Sequence, residues 1–325
     1  MIKASIGIDI GGTNTEIGLV NSAGEVLATG RIPTNEFSET DAYVEALSAA
    51  IREVVARAGG VEVMGIGIGA PNGNYYNGTI EFAPNLNFKG IVPLVEKLKE
   101  QFDYPVVKLT NDANAAAIGE MIYGGAKGMD DFIMITLGTG LGSGIVANGE
   151  MIYGHDAFAG EIGHVVVEKN GRQCGCGRNG CLETYCSATG LVRTVYELMG
   201  TTLLPSALRE QAKQGDITSK MVYDAAVKRD ELAVEAFRFT AEMLGDALAN
   251  AVAYTSPKAI FLFGGVANAG EMLTHQVKRY MEDSMLQIYK NKVEVLISAL
   301  PGADAAILGA SSLVWKELEK ESVAV

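Results

Sequence analysis

The stretch Ile8-Asp9-Ile10-Gly11-Gly12-Thr13, near the amino terminus, ends a β-rich segment in a pair of glycines. Because glycine has no side chain, the backbone N–H groups of such a turn can approach a bulky anion, which predicts a phosphate cradle. An ordinary hairpin turn is the alternative, because glycine pairs are common in such turns. Residues 16–20 and 25–32, which follow, flank Asn21-Ser22-Ala23-Gly24 and predict a hairpin. Both interpretations of the turn are open at this point.

The order of strand, glycine turn and hairpin in residues 8–25 recurs in residues 135–150. The second turn is richer in glycine and runs through Leu137-Gly138-Thr139-Gly140-Leu141. Repetition at this distance predicts two α/β domains of like topology, with chance similarity of two hairpins as the alternative. If both turns bind phosphate, they clamp a nucleoside triphosphate, and Asp9 is suited to hold Mg²⁺ beside it.

Composition narrows the class of protein. The chain has 325 residues, which favours two domains, and its net charge of −13 argues against a nucleic-acid partner. No stretch reaches the roughly 18 uncharged apolar residues of a membrane-spanning helix, and the first residues lack the pattern of a signal peptide. Three of the four cysteines fall within residues 174–181, which disfavours a secreted disulfide framework. We therefore expect a cytoplasmic protein without a membrane or nucleic-acid partner.

A third glycine pair follows residues 259–263, which predict the last strand of the chain. The flat adenine or ribose of a nucleotide could lie on the backbone of Gly264-Gly265. Tight packing between a strand and the next helix explains the pair equally well.

A carboxylate at the junction of a predicted strand and helix is the candidate for proton transfer. Residues 106–109 have strand character, and an alanine-rich helix follows Asn111-Asp112. Asp112 either caps this helix or acts as a general base toward a sugar hydroxyl. Asn111, and Asn85 in the motif Ala83-Pro84-Asn85-Leu86, are suited to hydrogen-bond sugar hydroxyls.

The most specific pattern is a histidine followed by three closely spaced cysteines: His164, Cys174, Cys176 and Cys181. Three thiolates and an imidazole complete a tetrahedral zinc shell with no open position, so the metal would be structural. Disulfides or idle thiols are the alternative, and Cys186 lies outside the spacing.

Two acidic residues flank this pattern. Glu161 lies three residues before His164, and Glu183 lies two residues after Cys181. A zinc loop would fix both carboxylates as acceptors for hydroxyl groups. Neutral His164 can bind zinc with one ring nitrogen and donate from the other to a sugar oxygen.

Taken together, these motifs resemble the ROK family (repressors, open reading frames and kinases), and within it the bacterial glucokinase-like sugar kinases. The matching motifs lie in family order over nearly the whole chain: residues 9–13, 83–86, 111–116, 137–140, 160–164, 174–177 and 180–183.

The resemblance implies an α/β, actin-like fold (a duplicated ribonuclease H-like fold) with two domains closing over a cleft. It implies a smaller domain made of residues 1–115 and a closing helix at about 303–325. The larger domain, residues 116–302, would carry the zinc loop and a helical block.

The resemblance also implies an activity: transfer of phosphate from ATP to the 6-hydroxyl of a hexose, with Mg²⁺, a structural Zn²⁺ and a homodimer. It makes Asp112 the catalytic base. The zinc ligands would be His164, Cys174, Cys176 and Cys181. The sugar would contact Asn85, Asn111, Asp112, Glu161, His164 and Glu183. ATP would contact Asp9, Gly11, Gly12, Thr13, Asn14, Gly138, Thr139, Gly140, Gly264 and Gly265.

One loop departs from the family pattern. Residues 72–78 are richer in Asn and Tyr than the usual short turn, and Phe88 stands where an aromatic residue, often Trp, follows the Pro-Asn-Leu motif. Since this loop borders the sugar in relatives, the acceptor stays open: glucose first, with N-acetylglucosamine, N-acetylmannosamine or another hexose as alternatives.

Two other classes are disfavoured. A DNA-binding repressor of the family carries a helix-turn-helix domain before the kinase-like body, and we expect none because the phosphate motif begins at Asp9 and the charge is negative. An actin-like ATPase without a sugar would have no use for Asp112, Glu161 and Glu183. Polyphosphate as the donor, oligomer size and allosteric control are not decided by the sequence.

Overall fold

A computed structural model describes residues 1–302 and 304–323 of the chain. Its first part alternates strands and helices, in the order β1 Ile2–Ile10, β2 Asn14–Asn21, β3 Val26–Pro33, α1 Thr40–Ala58, β4 Val61–Ala70, β5 Gly73–Asn74, β6 Thr79–Glu81, β7 Ile91–Val92, α2 Leu94–Lys99, β8 Val106–Asn111 and α3 Asp112–Ile122. The Asn- and Tyr-rich loop over residues 72–78 contains β5, which pairs with β6, and β6 in turn pairs with β7.

In the rest of the chain a helical block follows three strands, and two further strands with a helix between them come after it. Its elements are β9 Phe132–Leu137, β10 Leu141–Ala147, β11 Glu150–Met151, α4 Glu183–Cys186, α5 Ala188–Thr201, α6 Leu208–Gln214, α7 Ser219–Val227, α8 Glu231–Thr255, β12 Ala259–Phe263, α9 Glu271–Ser284, β13 Glu294–Ile297 and α10 Ala305–Val323. The expectation that β12 is the last strand was wrong, because β13 follows it. Helix α10 corresponds to the helix predicted at about 303–325, of which residues 303, 324 and 325 lie outside the described residues.

Two sheets share one topology. Their strand orders are β3-β2-β1-β4-β8 and β11-β10-β9-β12-β13. Strand β1 pairs antiparallel with β2 and parallel with β4, and β9 likewise pairs antiparallel with β10 and parallel with β12. The repeated strand, glycine turn and hairpin of the sequence are thus confirmed as equivalent elements of two mixed sheets.

The contacts divide the chain into two compact units. The first comprises residues 1–129, 151–160 and 299–325, and the second comprises residues 130–150 and 161–298. The predicted boundary between residues 115 and 116 falls inside α3, an unbroken helix that packs along α10. That packing assigns all of α3 to the first unit and moves the boundary to residue 129.

Residues 151–160 also differ from the predicted division, which placed them in the larger domain. The Tyr153 ring stacks on Tyr75 with centroids 3.9 Å apart, and the Asn74 side chain donates to the Asp156 carbonyl oxygen over 3.1 Å. These contacts to the Asn- and Tyr-rich loop assign the segment to the first unit.

The first sheet has an apolar, buried centre, which fixes the positions of the carboxyl ends of its strands. Strand β1 is buried from Ala4 through Ile8, as expected for a central strand covered on both faces. Helix α10 lies so close to this sheet that a Cβ on Gly7 would collide with the Ile307 carbonyl oxygen. Among the described helices, none is long and apolar enough to cross a bilayer.

Candidate functional site

The first glycine turn connects β1 to β2 and lies against the Asn85 motif. The Gly11 N–H donates to the Asn14 carbonyl oxygen over 2.9 Å, which closes the turn. A Cβ on Gly12 would lie 2.8 Å from the Asn85 carbonyl oxygen and 3.2 Å from the Asn85 Cβ. Glycine at position 12 is therefore what lets the Asn85 loop approach the turn.

Two carboxylates flank Gly69, near the carboxyl ends of neighbouring strands. Asp9 pairs with Gly69 in the β1–β4 register, and Asp112 begins α3 directly after β8. A Cβ on Gly69 would lie 3.6 Å from the Asp112 Cα and 3.9 Å from the Asp9 Oδ1. The parallel strands thus bring Asp9 and Asp112 together although 103 positions separate them in the sequence.

Burial favours the neutral form of both carboxyl groups, and repulsion by neighbouring carboxylates adds to this effect at Asp9. Desolvation, followed by the negative charges of Asp112 and Glu16, raises the pKa of Asp9 to about 7. Asp112 touches solvent, yet the protein around its carboxyl group excludes enough water to raise its pKa, against the opposing hydrogen bonds from backbone N–H groups. Both groups therefore titrate above the ordinary range of an aspartate.

Asn111, and not Asp112, is the N-cap of α3. The Asn111 backbone is extended, with φ −62° and ψ 148°, and its side-chain oxygen accepts from the Ala113 N–H over 2.8 Å. The Asp112 Oδ1 accepts from the same N–H over 2.8 Å, but Asp112 already belongs to the helix. The capping alternative for Asp112 is thereby corrected, because the residue before it performs that function.

The second glycine turn, between β9 and β10, accepts hydrogen bonds from the first residues of α5. The Gly138 carbonyl oxygen accepts from the Ala188 N–H over 2.8 Å, and the Thr139 carbonyl oxygen accepts from the Thr189 hydroxyl over 2.9 Å. The third glycine pair adjoins the base of this turn, because Gly264, at φ +102°, packs on the Leu137 backbone.

Glu183 is fixed against the same turn. Its Oε2 accepts from the Leu141 N–H over 3.0 Å, and a Cβ on Gly140 would collide with that oxygen. Glu161 precedes a short 3-10 turn, in which its carbonyl oxygen accepts from the His164 N–H over 3.1 Å. The Ile162 N–H next to it donates to the Ser143 hydroxyl of β10 over 3.1 Å. These contacts bring the Glu161 and Glu183 segments to the edge of one strand.

The histidine and three cysteines form one cluster, in which the potential ligand atoms all lie within 4.8 Å of one another. The Cys174 Sγ lies 3.7 Å from the His164 Nδ1, and the Cys176 Sγ lies 3.6 Å from the Cys181 Sγ. Tetrahedral zinc, with bonds of about 2.3 Å to sulfur and about 2.0 Å to nitrogen, requires ligand separations of about 3.5–3.8 Å. A disulfide requires about 2.05 Å, so the cluster has the geometry of a metal site and not of a disulfide.

Cys186 lies outside the cluster, as the spacing predicts. It is buried, its thiol donates to the Thr240 carbonyl oxygen over 3.6 Å, and burial raises its pKa. Such a thiol is unreactive and serves as a small core residue.

The structure thus brings the predicted site residues into two groups. In the first unit, Asp9, the turn at residues 11–14, Asn85, Asn111 and Asp112 lie around the ends of β1, β4 and β8. In the second unit, the turn at residues 138–140, Glu161, His164, Glu183, the three cysteines and Gly264-Gly265 lie around the ends of β9, β10 and β12.

Sequence reasoning missed two supporting residues in the first unit. Glu16 is on β2 and raises the pKa of Asp9, as its register position opposite Asp9 allows. Tyr43 is buried on α1, where its hydroxyl hydrogen-bonds with that of Thr15 over 2.8 Å and its ring packs on Phe88 at 4.8 Å. Tyr43 is one of the buried residues of α1, and no local signal in the sequence indicates the contact of its hydroxyl.

Comparisons with known proteins agree with this architecture. The ROK family model matches residues 5–317. The glucokinase of Halalkalibacterium halodurans is 36% identical over 316 residues, which cover 96% of this chain and 95% of that protein. The glucokinase of Streptomyces coelicolor is 35% identical over 315 residues, covering 95% and 96% of the two chains.

Among solved structures, a ROK family glucokinase from Streptomyces griseus, in complex with glucose and AMPPNP, superposes with a TM-score of 0.79 at 34% identity. The match covers 96% of this chain and 99% of that one. The chain therefore belongs to the ROK family, and its fold is the α/β, actin-like fold of the ROK sugar kinases. The predictions of family and fold are confirmed.

Proposed function

We propose that this protein is an ATP-dependent glucokinase that phosphorylates the 6-hydroxyl of glucose. The observation that carries the proposal is the position of Asp112, a carboxylate of raised pKa near Gly69 and near Asp9, the residue that shortly precedes the glycine turn. Glucokinases at 35–36% identity over nearly the whole chain, and a ROK glucokinase complex with glucose and AMPPNP, support the same activity.

In the proposed reaction Asp112 is the general base. The 6-hydroxyl oxygen forms a bond to the γ-phosphorus of ATP, the bond from that phosphorus to the β–γ bridging oxygen breaks, and ADP leaves. The proton of the hydroxyl passes to the Asp112 carboxylate. A raised pKa suits this role, since a base is most effective when its pKa approaches the operating pH.

The remaining predicted residues bind the two substrates. Asn111 uses its side-chain oxygen in the cap of α3, so its amide N–H groups can donate to sugar oxygens. Asn85, Glu161, His164 and Glu183 complete the proposed set of sugar contacts. For ATP, we propose phosphate contacts at Asp9, Gly11, Gly12, Thr13, Asn14, Gly138, Thr139 and Gly140, and adenosine contacts at Gly264 and Gly265.

The residues around Asp9 fit a magnesium ion. Burial first, and then the negative charges of Asp112 and Glu16, raise the pKa of Asp9 to about 7, so a cation there would relieve the repulsion among these three carboxylates. Oxygen ligands are those that Mg²⁺ prefers, and when bound it would neutralise charge on the phosphates. We propose Asp9 as the residue of this chain that holds it.

The cluster of His164 and the three cysteines fits a structural zinc ion. Four ligands leave no open position, so we assign the metal no part in the reaction. Since the Nδ1 of His164 faces the Cys174 sulfur, its Nε2 is left to donate to a sugar oxygen.

A cytoplasmic location and a homodimer are also part of the proposal. Light scattering of the purified protein measures its oligomeric state.

The proposal is tested by an ADP-release assay with Mg²⁺-ATP over glucose, mannose, N-acetylglucosamine and N-acetylmannosamine, with polyphosphate as an alternative donor. We expect the highest kcat/KM for glucose, with mannose and N-acetylglucosamine weaker. A higher kcat/KM for an acetylhexosamine would reassign the acceptor. ADP release that no sugar stimulates would contradict a sugar kinase.

A further inference from the structure

Arg172 is a buried arginine within the proposed zinc-binding segment, residues 164–181, and the proposed reaction gives it no part. It is 8% exposed. Its Nη1 donates to the Thr184 carbonyl oxygen over 2.7 Å and to the Gly190 carbonyl oxygen over 3.2 Å, and its Nη2 donates to the Thr194 hydroxyl over 2.9 Å. A guanidinium so fully engaged has one orientation.

The positive charge of Arg172 is paired with the carboxylate of Glu197. Its Nε donates to Glu197 over 2.9 Å, and its Nη2 contacts the second oxygen of the same carboxylate, which makes the pair bidentate. The guanidinium also lies over the Tyr185 ring, 4.5 Å from its centroid. Burying the charge of an arginine without such partners would cost several kcal/mol. These contacts are therefore what allows Arg172 to be buried.

The backbone of Arg172 is fixed as well. Its N–H donates to the Tyr185 hydroxyl over 3.0 Å, and its carbonyl oxygen accepts from the Gly180 N–H over 2.8 Å. A Cβ on Gly171 would collide with the Tyr185 hydroxyl. One residue thus connects the start of the cysteine-containing segment to Thr184 and Tyr185, which immediately follow Glu183 in α4.

We infer that Arg172 is a positioning residue that holds Glu183 in place for the sugar, independently of the metal ion. The inference rests on the proposed sugar contact of Glu183. The metal ligands end at Cys181, whereas the guanidinium holds the carbonyl oxygen at position 184, on the far side of Glu183. Two separate anchors, the cluster before Glu183 and Arg172 after it, fix this carboxylate.

The test compares Arg172→Met, which keeps an apolar stem but removes the guanidinium and its hydrogen bonds, with Arg193→Met. Arg193 is the matched control, because it also donates to the zinc-binding segment, at the Gln173 carbonyl oxygen, but on the surface. We expect Arg172→Met to raise the glucose KM about 10-fold, to change the ATP KM less than about 2-fold, and to keep its zinc. Arg193→Met should behave as the unchanged protein.

Hydrogen exchange supplies a readout that does not depend on activity. In Arg172→Met, the amides of residues 183–190 should exchange faster than in Arg193→Met, whereas those of the first unit should not change. If no hexose is phosphorylated by the unchanged protein, the proposed function fails, and this exchange comparison still decides whether Arg172 anchors the Glu183 segment.

Three results would overturn the inference: an unchanged glucose KM, equal increases in the KM values of glucose and ATP, or loss of zinc from Arg172→Met. If that variant does not fold, Glu197→Gln replaces it. Glu197 is half exposed, and glutamine keeps an oxygen that can accept from the guanidinium, so this substitution removes the counter-charge and weakens the orientation of Arg172 but keeps the rest of its partners. A smaller rise in the glucose KM is then expected, and none would contradict the inference.

Discussion

The two glycine turns occupy equivalent places in sheets of the same topology, but their surroundings are held in different ways. In the first unit, Asp9 and Asp112 are placed by the ladder of parallel strands β1, β4 and β8 and by the start of a helix. In the second unit, Glu161, His164 and Glu183 lie in a segment of loops, 3-10 turn and one short helix.

This difference shows what each kind of support requires. Strand ends are placed by regular hydrogen bonds that any sheet makes, so the first unit needs only glycine where segments approach closely. A loop has few such bonds, and the second unit supplies side-chain anchors in their place, the Cys₃His cluster and Arg172. The comparison predicts that residues of the first unit can be tested singly, whereas those of the second respond together to loss of an anchor.

The largest effect is expected from Asp112→Asn in the first unit. Asparagine can keep the hydrogen bond to the Ala113 N–H but cannot accept a proton, so kcat should fall by about 10²–10⁴. The melting temperature should barely move, because Asn111 is the cap of α3. The exposed Asp103→Asn is the control. Near-normal kcat in Asp112→Asn would remove Asp112 from the reaction and make Glu161 the next candidate.

The next effect is expected from Cys176→Ser in the second unit. Losing one ligand of four should release the metal and loosen residues 161–183, raising the glucose KM about 10-fold or more while the ATP KM changes little. Metal analysis and steady-state kinetics measure both. Cys186→Ser, outside the cluster, should keep the metal. Stoichiometric zinc and a normal glucose KM in Cys176→Ser would show that the cluster does not support the site.

A smaller effect is expected from Gly12→Ala in the first unit. The added methyl group would lie 2.8 Å from the Asn85 carbonyl oxygen, so the Asn85 loop must move by a few tenths of an ångström. We expect kcat/KM for glucose to fall roughly 10-fold, since small displacements near reacting groups are costly. Gly200→Ala, where a methyl group meets nothing within 4 Å, is the control. Equal kinetics for the two variants would contradict this close approach.

The smallest effect concerns the ligand-free protein and Asp9. With a pKa of about 7 when folded and 3.8 ordinarily, Asp9 binds more protons in the folded than in the unfolded state between these values. Its contribution to stability is therefore full below pH 3.8 and is lost as the pH rises toward 7. Asparagine carries no charge at any of these pH values, so the Asp9→Asn variant does not lose this stability. Its melting temperature at pH 8 should be a few degrees higher than that of the unchanged protein, and its activity should be lower. If Asp9→Asn and the unchanged protein had identical melting temperatures at every pH from 5 to 8, the raised pKa of Asp9 would be contradicted.

Local patterns predicted the parts of the fold that depend on neighbours in the chain. The hairpin after Gly11-Gly12, its counterpart after Gly138, and the junction of β8 with α3 all follow from strand patterns and glycine positions. The ligand cluster at residues 164–181 was also predicted, because one short segment contains all four donor atoms and their spacing suits a tetrahedral shell.

Contacts between distant segments were not predictable in the same way. The return of residues 151–160 to the first unit depends on Tyr153 stacking on Tyr75, and nothing in either segment alone indicates the partner. Arg172 has no periodic or motif signal, since its role arises from carbonyl oxygens at positions 184 and 190. Strand β13 is only four residues long and was missed for lack of length.

Hydrogen exchange of the protein before and after treatment with a metal chelator tests the contrast between the two units most directly. With the metal removed, we predict faster exchange across residues 161–182 and unchanged exchange in β1, β8 and α3, because the first unit does not depend on the cluster. Residues 183–190 should be affected less than residues 161–182, since the Arg172 side chain stays paired with Thr194 and Glu197 of α5 and still donates to the Thr184 carbonyl oxygen. Unchanged exchange in both units, or an equal increase in both, would contradict this account.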